Sequence, residues 1–307
     1  MYDLIIIGAG PAGVSAAIYA SRAHIDTLWI DDRFVPGGQI SDSGRVDNYP
    51  GIPSVSGAEL GDRFAAHAEQ LGMVPVREKV RSIEKTVPEG EEKGFFVVQT
   101  RKNTYEARTV ILSSGASHRH LGIPGEEELS GMGVSYCATC DGAFFSDRTT
   151  AVVGGGNTAC EDALFLSRMC KKVYLIHRRD ALRADALLQD LVQSDPNIQI
   201  IWNCVPEKIE GDSQVSGLVL KNRVTQEESI LVTEGVFIAV GMVPNTELVK
   251  ELVEMDEAGY ICAGEDCRTS LSGLFAAGDI RTKSLRQVVT AVADGAQAVH
   301  SVQKYLA

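Results

Sequence analysis

The sequence predicts an α/β fold of two similar units, and three observations predict it. The first is an internal repeat of long period: residues 3–13 read DLIIIGAGPAG, and residues 149–159 read TTAVVGGGNTA. Each is a short apolar run, then a glycine cluster, then a stretch with helical spacing, over residues 11–23 in one copy and 157–169 in the other. The second is that another apolar run follows each stretch, at 27–30 (TLWI) and 172–176 (KVYLI). Strand, glycine turn, helix, strand is a βαβ unit, and the chain has two. The third is a pair of Gly-, Ser- and Pro-rich segments, 114–118 (SGASH) and 241–246 (GMVPNT), that read as linkers.

Further strands are expected at 95–100 and 109–112 after the first unit, and at 198–202, 215–220, 229–232 and 236–240 after the second. Beyond the second linker come LFAAGD (274–279) and a final amphipathic helix over about 287–306, an ending that resembles neither unit. The economical arrangement is two Rossmann-like, three-layer ββα domains with the second inserted into the first. Residues 1–116 and 245–307 would form one, and residues 117–244 the other.

At 307 residues the chain is long enough for two domains, and 44% hydrophobic with 23% charged residues is ordinary for a globular protein. The net charge of −12 argues against nucleic-acid or anionic-membrane partners. Any phosphate site must then be built locally against the global field. The apolar stretch 4–20 lacks a basic segment in front and is broken by Gly8, Gly10, Pro11 and Gly13, so it reads as mature structure and not as an export signal. The expected location is cytoplasmic. Seven cysteines in a reducing compartment suggest redox or metal chemistry before structural bridging.

Gly8-x-Gly10-x-x-Gly13 closes a strand and opens a helix. In such a turn the first glycine permits the bend, the second lets backbone approach a pyrophosphate, and the third allows helix and strand to pack closely. Asp31 and Asp32 end the next strand, Asp31 standing 23 residues after Gly8. An acid there accepts a hydrogen bond from a ribose 2′-hydroxyl and repels a 2′-phosphate, so this turn suits FAD or NAD. A plain polar strand end is the alternative. Gly154-Gly155-Gly156-x-x-Ala159 repeats the motif, but 23 residues after Gly154 stands His177, followed by Arg178, Arg179 and, a little later, Arg183. Arginines pair with phosphate oxygens, so this turn suits NADPH; a solvated basic patch is the alternative. One site of each kind points to an enzyme that passes reducing equivalents from NADPH to a flavin.

Cys137-Ala-Thr-Cys140 is followed by Asp141. A disulfide closing so short a loop gains only about 2 kcal/mol of chain entropy, so it is a poor staple and suits exchange chemistry. Two other readings remain: zinc, with Cys262 and Cys267 as the second pair, or reduced core thiols. Cys160, Cys170 and Cys204 fall on helix and strand patterns and are expected in the core. Asp141 could exchange protons with the dithiol or simply cap a turn. No resident metal is expected.

These residues carry a resemblance. GAGPAG (8–13), GGQI (37–40), NYPG (48–51), CATCDG (137–142), VVGGGNTA (152–159), HRRDALRA (177–184), FAAGD (275–279) and RQVVTAVADG (286–295) occur in order along nearly the whole chain. Together they resemble the low-molecular-weight, bacterial-type thioredoxin reductases of the pyridine nucleotide-disulfide oxidoreductases. That resemblance implies an FAD domain from the two chain ends and an NADPH domain, carrying the redox pair, between them. It implies FAD held by the first turn (Gly8, Gly10, Pro11, Ala12, Gly13), by Asp31 and the segment Asp32 to Gln39 with Gly38, by Asn48, and by Gly278, Asp279, Arg286, Gln287 and Val288. It implies NADPH at Gly154, Gly156, Asn157, Thr158, His177, Arg178, Arg179 and Arg183. Cys140 would face the flavin, Cys137 would attack a partner disulfide such as that of thioredoxin, and Asp141 would be the acid/base. Rotation of one domain against the other and a homodimer are also implied. Ser113-Ser114-Gly115 departs from the family's more usual Ala-Thr-Gly, and His118 and His120 are unusual neighbours there, read as surface residues.

Two other enzyme readings compete. An FAD-dependent dithiol oxidase or a ferredoxin-dependent reductase of this fold would keep the flavin turn and the CxxC pair but would not need the arginine cluster. A nucleotide-binding regulator would leave Cys137 and Cys140 without a role.

Overall fold

The computed structural model describes residues 1–33, 37–43, 46–88 and 93–307. Six α-helices are described: α1 (Pro11–Arg22), α2 (Gly57–Gln70), α3 (Ala138–Asp141), α4 (Asn157–Ser167), α5 (Ala186–Ser194) and α6 (Val288–Leu306). The chain forms two compact units, one of Met1–Ser117 with Val243–Ala307 and one of His118–Met242. The crossings fall inside the Gly-, Ser- and Pro-rich segments, where Ala116–His118 and Met242–Pro244 form a two-stranded sheet.

The first unit is built on a seven-stranded sheet. Its order is Val76–Arg77, Thr27–Asp31, Tyr2–Ile7, Thr104–Leu112, Phe95–Thr100, Val80–Thr86, with Leu274–Ala276 also pairing to Thr104–Leu112. The strands around Tyr2–Ile7 are parallel, and Leu4, Ile5 and Ile6 are wholly buried, so both faces are covered. Alternation sends Leu4, Ile6, Trp29, Ile111 and Phe275 towards the helices. It sends Ile5, Ile30, Val110 and Leu112 to a second layer with Ile83, Phe96 and Val98. α1 and α6 lie against each other closely enough that a Cβ on Gly295 would sit 2.1 Å from the Ala12 carbonyl oxygen. The Ser15 hydroxyl donates to Val292 O at 2.7 Å across the same contact.

The second unit has five parallel strands in the order Ile198–Ile201, Lys172–Ile176, Thr149–Gly154, Gly235–Ala239, Val134–Ser135. One face packs Val152, Val173, Leu175 and Phe237 against α4 and α5. The other packs Ala151, Val153, Ile176 and Ile238 against the antiparallel sheet of Cys204–Gly211, Val215–Asn222 and Glu228–Val232. Sheet, sheet and helix make the three-layer arrangement expected from the sequence.

The strand expected at 109–112 runs from Thr104 to Leu112. Its first half alternates exposed and buried residues because it pairs antiparallel with Phe95–Thr100, whereas the second half lies in the buried parallel part. α2 and α5 were not foreseen. α2 begins at Ser56, whose hydroxyl accepts the Glu59 N–H at 3.1 Å, with Glu59 and Arg63 paired one turn apart.

Candidate functional site

The redox pair sits where an edge strand of the second sheet ends. Val134–Ser135 pairs parallel with Val236 and Phe237, and the chain then turns into α3, with Cys137 as the N-cap. Cys137 and Cys140 are joined in a disulfide with their Cα atoms 5.3 Å apart. Their sulfurs are therefore engaged with each other, which answers the zinc and core-thiol readings. The short helix can lie tight on α4 because residue 142 is glycine: a Cβ there would meet Leu166 Cδ2 at 2.9 Å. Cys160, Cys170 and Cys204 are buried free thiols, and burial together with Glu161 pushes Cys160 up to about 11, so it is inert at neutral pH.

Asp141 lies half-buried beside the pair. Burial raises its carboxyl above the usual carboxylate value, and a hydrogen bond from Ser135 opposes the rise. Ser135 Oγ donates to Asp141 Oδ2 at 2.6 Å and accepts the Cys137 N–H at 3.1 Å. One hydroxyl thus ties the carboxyl to the backbone of a redox cysteine. The sequence reading missed Ser135; its position two residues before a cysteine was the available signal.

His120 is exposed and His118 half-buried, as expected of surface residues, and both touch Tyr136. The His118 ring stacks on Tyr136 with centroids 4.9 Å apart, and His120 Nδ1 lies 2.9 Å from the Tyr136 hydroxyl. Tyr136 directly precedes Cys137, and its hydroxyl donates to the buried Glu126 carboxylate at 2.7 Å. Burial raises Glu126, but bonds from Tyr136 and the Leu121 and Gly122 N–H groups overcome it and hold the carboxyl below its ordinary value.

In the first glycine turn, Gly8 adopts φ +110°, and a Cβ on Gly13 would lie 1.9 Å from the Gly8 carbonyl oxygen. That carbonyl accepts the Trp29 indole N–H at 2.9 Å. Gly10 is the N-cap of α1, and a Cβ there would meet nothing within 4 Å, so the helix start opens onto free space. Asp31 is half-buried; burial raises its pKa, while Arg33 and the N–H groups of Arg33 and Ala9 pull it down. Asp32 is exposed, 3.9 Å from Lys79 Nζ. Gly38 stands over Gly10, its virtual Cβ 3.0 Å from Gly10 Cα. Residues 34–36, within the segment Asp32 to Gln39, lie outside the described residues.

The other expected FAD residues gather in the same unit. Asn48 Nδ2 donates to Gln287 Oε1 at 2.9 Å, and Gln287 caps α6 in a reciprocal box with Thr290. Val288 packs on the cluster of Ile40, Val46, Val55 and Leu60. Among the described residues, Asp279 Oδ1 and Arg286 Nε are buried with no hydrogen-bond partner. Burial raises the Asp279 carboxyl against the pull of Lys283 and Arg286. Orphaned polar atoms beside an open helix start fit a bound polar group, and the chemistry of the set fits FAD. The sequence reading missed what holds this segment. Asp294 accepts from Arg281 at 2.7 and 2.8 Å, from Lys283 at 2.9 Å and from the Gly278 N–H at 2.9 Å, all buried or nearly so. Burial alone would raise Asp294; these partners hold it below the usual carboxylate value.

The second turn repeats the first with one change. A Cβ on Gly154 would fall 2.4 Å from Ala239 O and 2.6 Å from the Ala159 Cβ, so alanine in the third place is accommodated only beneath a glycine. Gly156 caps α4 and is open, like Gly10. Thr158 is exposed, while the Asn157 amide is occupied with Asp185 as donor at 2.8 Å and as acceptor at 2.9 Å. Arg178, Arg179 and Arg183 are exposed, and among the described residues none forms an ion pair with an acid. Three unpaired guanidinium groups beside an open helix start fit a 2′-phosphate. His177, expected among the nucleotide ligands, is 4% exposed, with Nδ1 2.9 Å from Gly154 O and Nε2 3.0 Å from Ala181 O. Both ring nitrogens face backbone carbonyls, leaving none for a ligand.

Two unlike glycine turns at open helix starts, with a disulfide between cysteines three residues apart, fit an oxidoreductase that couples a nicotinamide cofactor to thiol chemistry. The chain belongs to the pyridine nucleotide-disulphide oxidoreductase family, whose sequence model matches residues 2–295. It is 50% identical to a thioredoxin reductase of Listeria monocytogenes over 307 residues, covering 100% of this chain and 94% of the relative. It is 45% identical to one of Bacillus subtilis, covering 100% and 95%. Among solved structures, a thioredoxin reductase from Streptococcus pyogenes superposes with a TM-score of 0.92 at 43% identity, covering 100% of this chain and 98% of that one.

Proposed function

We propose that the protein is a thioredoxin-disulfide reductase that delivers reducing equivalents from NADPH, by way of FAD, to the Cys137–Cys140 disulfide and then to the disulfide of thioredoxin or a thioredoxin-like protein. The observation that carries this reading is the Cys137–Cys140 disulfide at the end of a sheet edge, with the half-buried Asp141 beside it. The unit of Met1–Ser117 with Val243–Ala307 is assigned FAD, and the unit His118–Met242 is assigned NADPH. FAD would be held at the Gly8–Gly13 turn, Asp31, Gly38, Gln39, Asn48, Asp279 and Arg286 to Val288. NADPH would be held at Gly154, Gly156 and the three arginines.

Bound FAD supplies the two-electron relay between NADPH and the disulfide. The chain's own residues do the rest. Two electrons and two protons convert the Cys137–Cys140 disulfide into two thiols. Asp141, with its raised pKa and its tie to Ser135, is placed to exchange one of those protons. The Cys137 thiolate attacks the partner disulfide; one mixed S–S bond forms, the partner's S–S bond breaks, and the departing sulfur takes a proton. The Cys140 thiolate then attacks Cys137 Sγ, restoring the internal disulfide and releasing the partner as a dithiol. The five other cysteines are free thiols, as the reducing cytoplasm would keep them. A homodimer is expected from the family likeness, and sedimentation of the purified protein tests it.

Cys137→Ser tests the route. The variant holoenzyme should still have its flavin bleached by NADPH but should lose NADPH-dependent reduction of thioredoxin. Full thioredoxin reduction by the variant would refute the assignment.

A further inference from the structure

His177 ends its strand beneath the second glycine turn. A Cβ on Gly155 would lie 2.1 Å from the His177 Nδ1, so the ring fills the space that glycine leaves. Its two nitrogens face Gly154 O and Ala181 O at 2.9 and 3.0 Å. The first carbonyl belongs to the glycine turn and the second to the loop that carries Arg178, Arg179 and Arg183. A second tie runs from the Arg183 N–H to Gly155 O at 2.7 Å. His177 is therefore a bolt between the pyrophosphate turn and the arginine loop.

The bolt has a proton requirement. A neutral imidazole carries one N–H and can donate to one carbonyl; its bare nitrogen would face the lone pairs of the other. Only the imidazolium satisfies both. The surroundings oppose that cation. Burial pushes His177 below its ordinary value, the two carbonyl contacts push it up, and Arg183 and Arg178 add to the downward pull. Among the described residues, the groups that shift it include no acid: the glycine turn presents only backbone, Trp202 presents its ring at 6.2 Å, and the buried Cys204 thiol is held neutral by burial.

We propose that His177 is a positioning residue through which a 2′-phosphate on the arginine cluster is coupled to protonation of the ring: the phosphate cancels the arginine charge, the ring takes up a proton, and both carbonyls are then bonded, fixing the arginine loop to the glycine turn. A dinucleotide without the 2′-phosphate leaves the arginine charge in place and the bolt half made. Preference for the phosphorylated nucleotide then includes a contribution from a residue that does not touch it. The proposal rests on the assignment of the arginines to a 2′-phosphate.

The test uses the FAD-loaded wild type with isotope-labelled histidine, the His177 resonance being identified by its loss in His177→Gln. Its titration is followed free, with saturating 2′,5′-ADP, and with saturating 5′-AMP. The expected result is a free pKa below the ordinary histidine value and a rise of about one unit with 2′,5′-ADP, with no change for 5′-AMP. Calorimetry runs alongside. The 2′-phosphate titrates too, so its own pH dependence is what remains in His177→Gln. The wild type should bind 2′,5′-ADP more tightly as pH falls through the interval between the free and bound pKa values, by more than that variant does. Heat of 2′,5′-ADP binding without a His177 shift would overturn the coupling and leave the phosphate site standing. No heat with the wild type would overturn the phosphate site and the coupling together.

Discussion

Twenty-three residues after its first glycine, one turn has Asp31 and the other has His177. The Ala9 and Arg33 N–H groups draw the Asp31 pKa down, whereas His177 faces the carbonyls of Gly154 and Ala181. The same strand end is thus finished by an acceptor in one unit and by a donor in the other. The exposed groups follow suit: Asp32 outside the first turn, and Arg178, Arg179 and Arg183 outside the second. The fold supplies the open helix start at Gly10 and Gly156, and on the proposed reading the neighbours of residue 31 or 177 would select the ligand.

The two units also differ in how the turn is held from behind. α6 seals the first through Gly295 and Ser15, and the buried group of Asp294, Arg281 and Lys283 anchors Gly278. Asp294→Ala would leave two buried cations without their carboxylate, and it should cost about 3–5 kcal/mol. Chemical denaturation and the FAD content of the purified variant measure this. The ion group also sets a pH dependence. The folded pKa of Asp294 lies below the ordinary 3.8, so its stabilisation is complete above that value and is lost as pH falls through the folded pKa. Asp294→Asn should flatten that acid limb.

The third position of each turn is the next contrast. Gly13→Ala would force a Cβ against the Gly8 carbonyl and should destabilise by about 3 kcal/mol, with FAD lost. Ala159→Gly in the second turn removes a Cβ already accommodated and should cost only about 1 kcal/mol. Equal thermal shifts would break the asymmetry.

Arg178→Ala combined with Arg179→Ala should raise the KM for NADPH at least about tenfold, since a charge-assisted hydrogen bond contributes about 1.5–3 kcal/mol. The KM for NADH should stay nearly unchanged in steady-state assays. The smallest effect is expected at Ser135→Ala. Ser135 draws the Asp141 pKa down, so its loss should raise that pKa further. Asp141 would then stay protonated to higher pH, and the pH profile of disulfide reduction should move upward.

The βαβ repeats and their glycines were legible because the turn demands them sterically: Gly8, Gly13 and Gly154 each have backbone where a Cβ would be. The redox pair was legible because two cysteines three apart have few other uses. The antiparallel half of Thr104–Leu112 was hidden, since alternate exposure dilutes its apolar signal. α2 and α5 carried a signal that was passed over: Leu60, Phe64 and Ala68 in one, and Leu188, Leu191 and Val192 in the other, fall at helical spacing, but neither helix follows a glycine motif. Asp294, Arg281 and Ser135 act through partners distant in sequence or through one hydroxyl, and no local motif marks such contacts. His177 was read by register with Asp31, which located its position but not the carbonyls that occupy its ring.

The central claim is that the two turns select unlike nucleotides and that electrons pass between them. Anaerobic stopped-flow absorbance of the oxidised holoenzyme, mixed with equal low concentrations of NADPH or NADH, tests it most directly. NADPH should bleach the flavin faster by on the order of a hundredfold, as about 2.7 kcal/mol of discrimination from the arginines implies. Equal rates with the two nucleotides would contradict it.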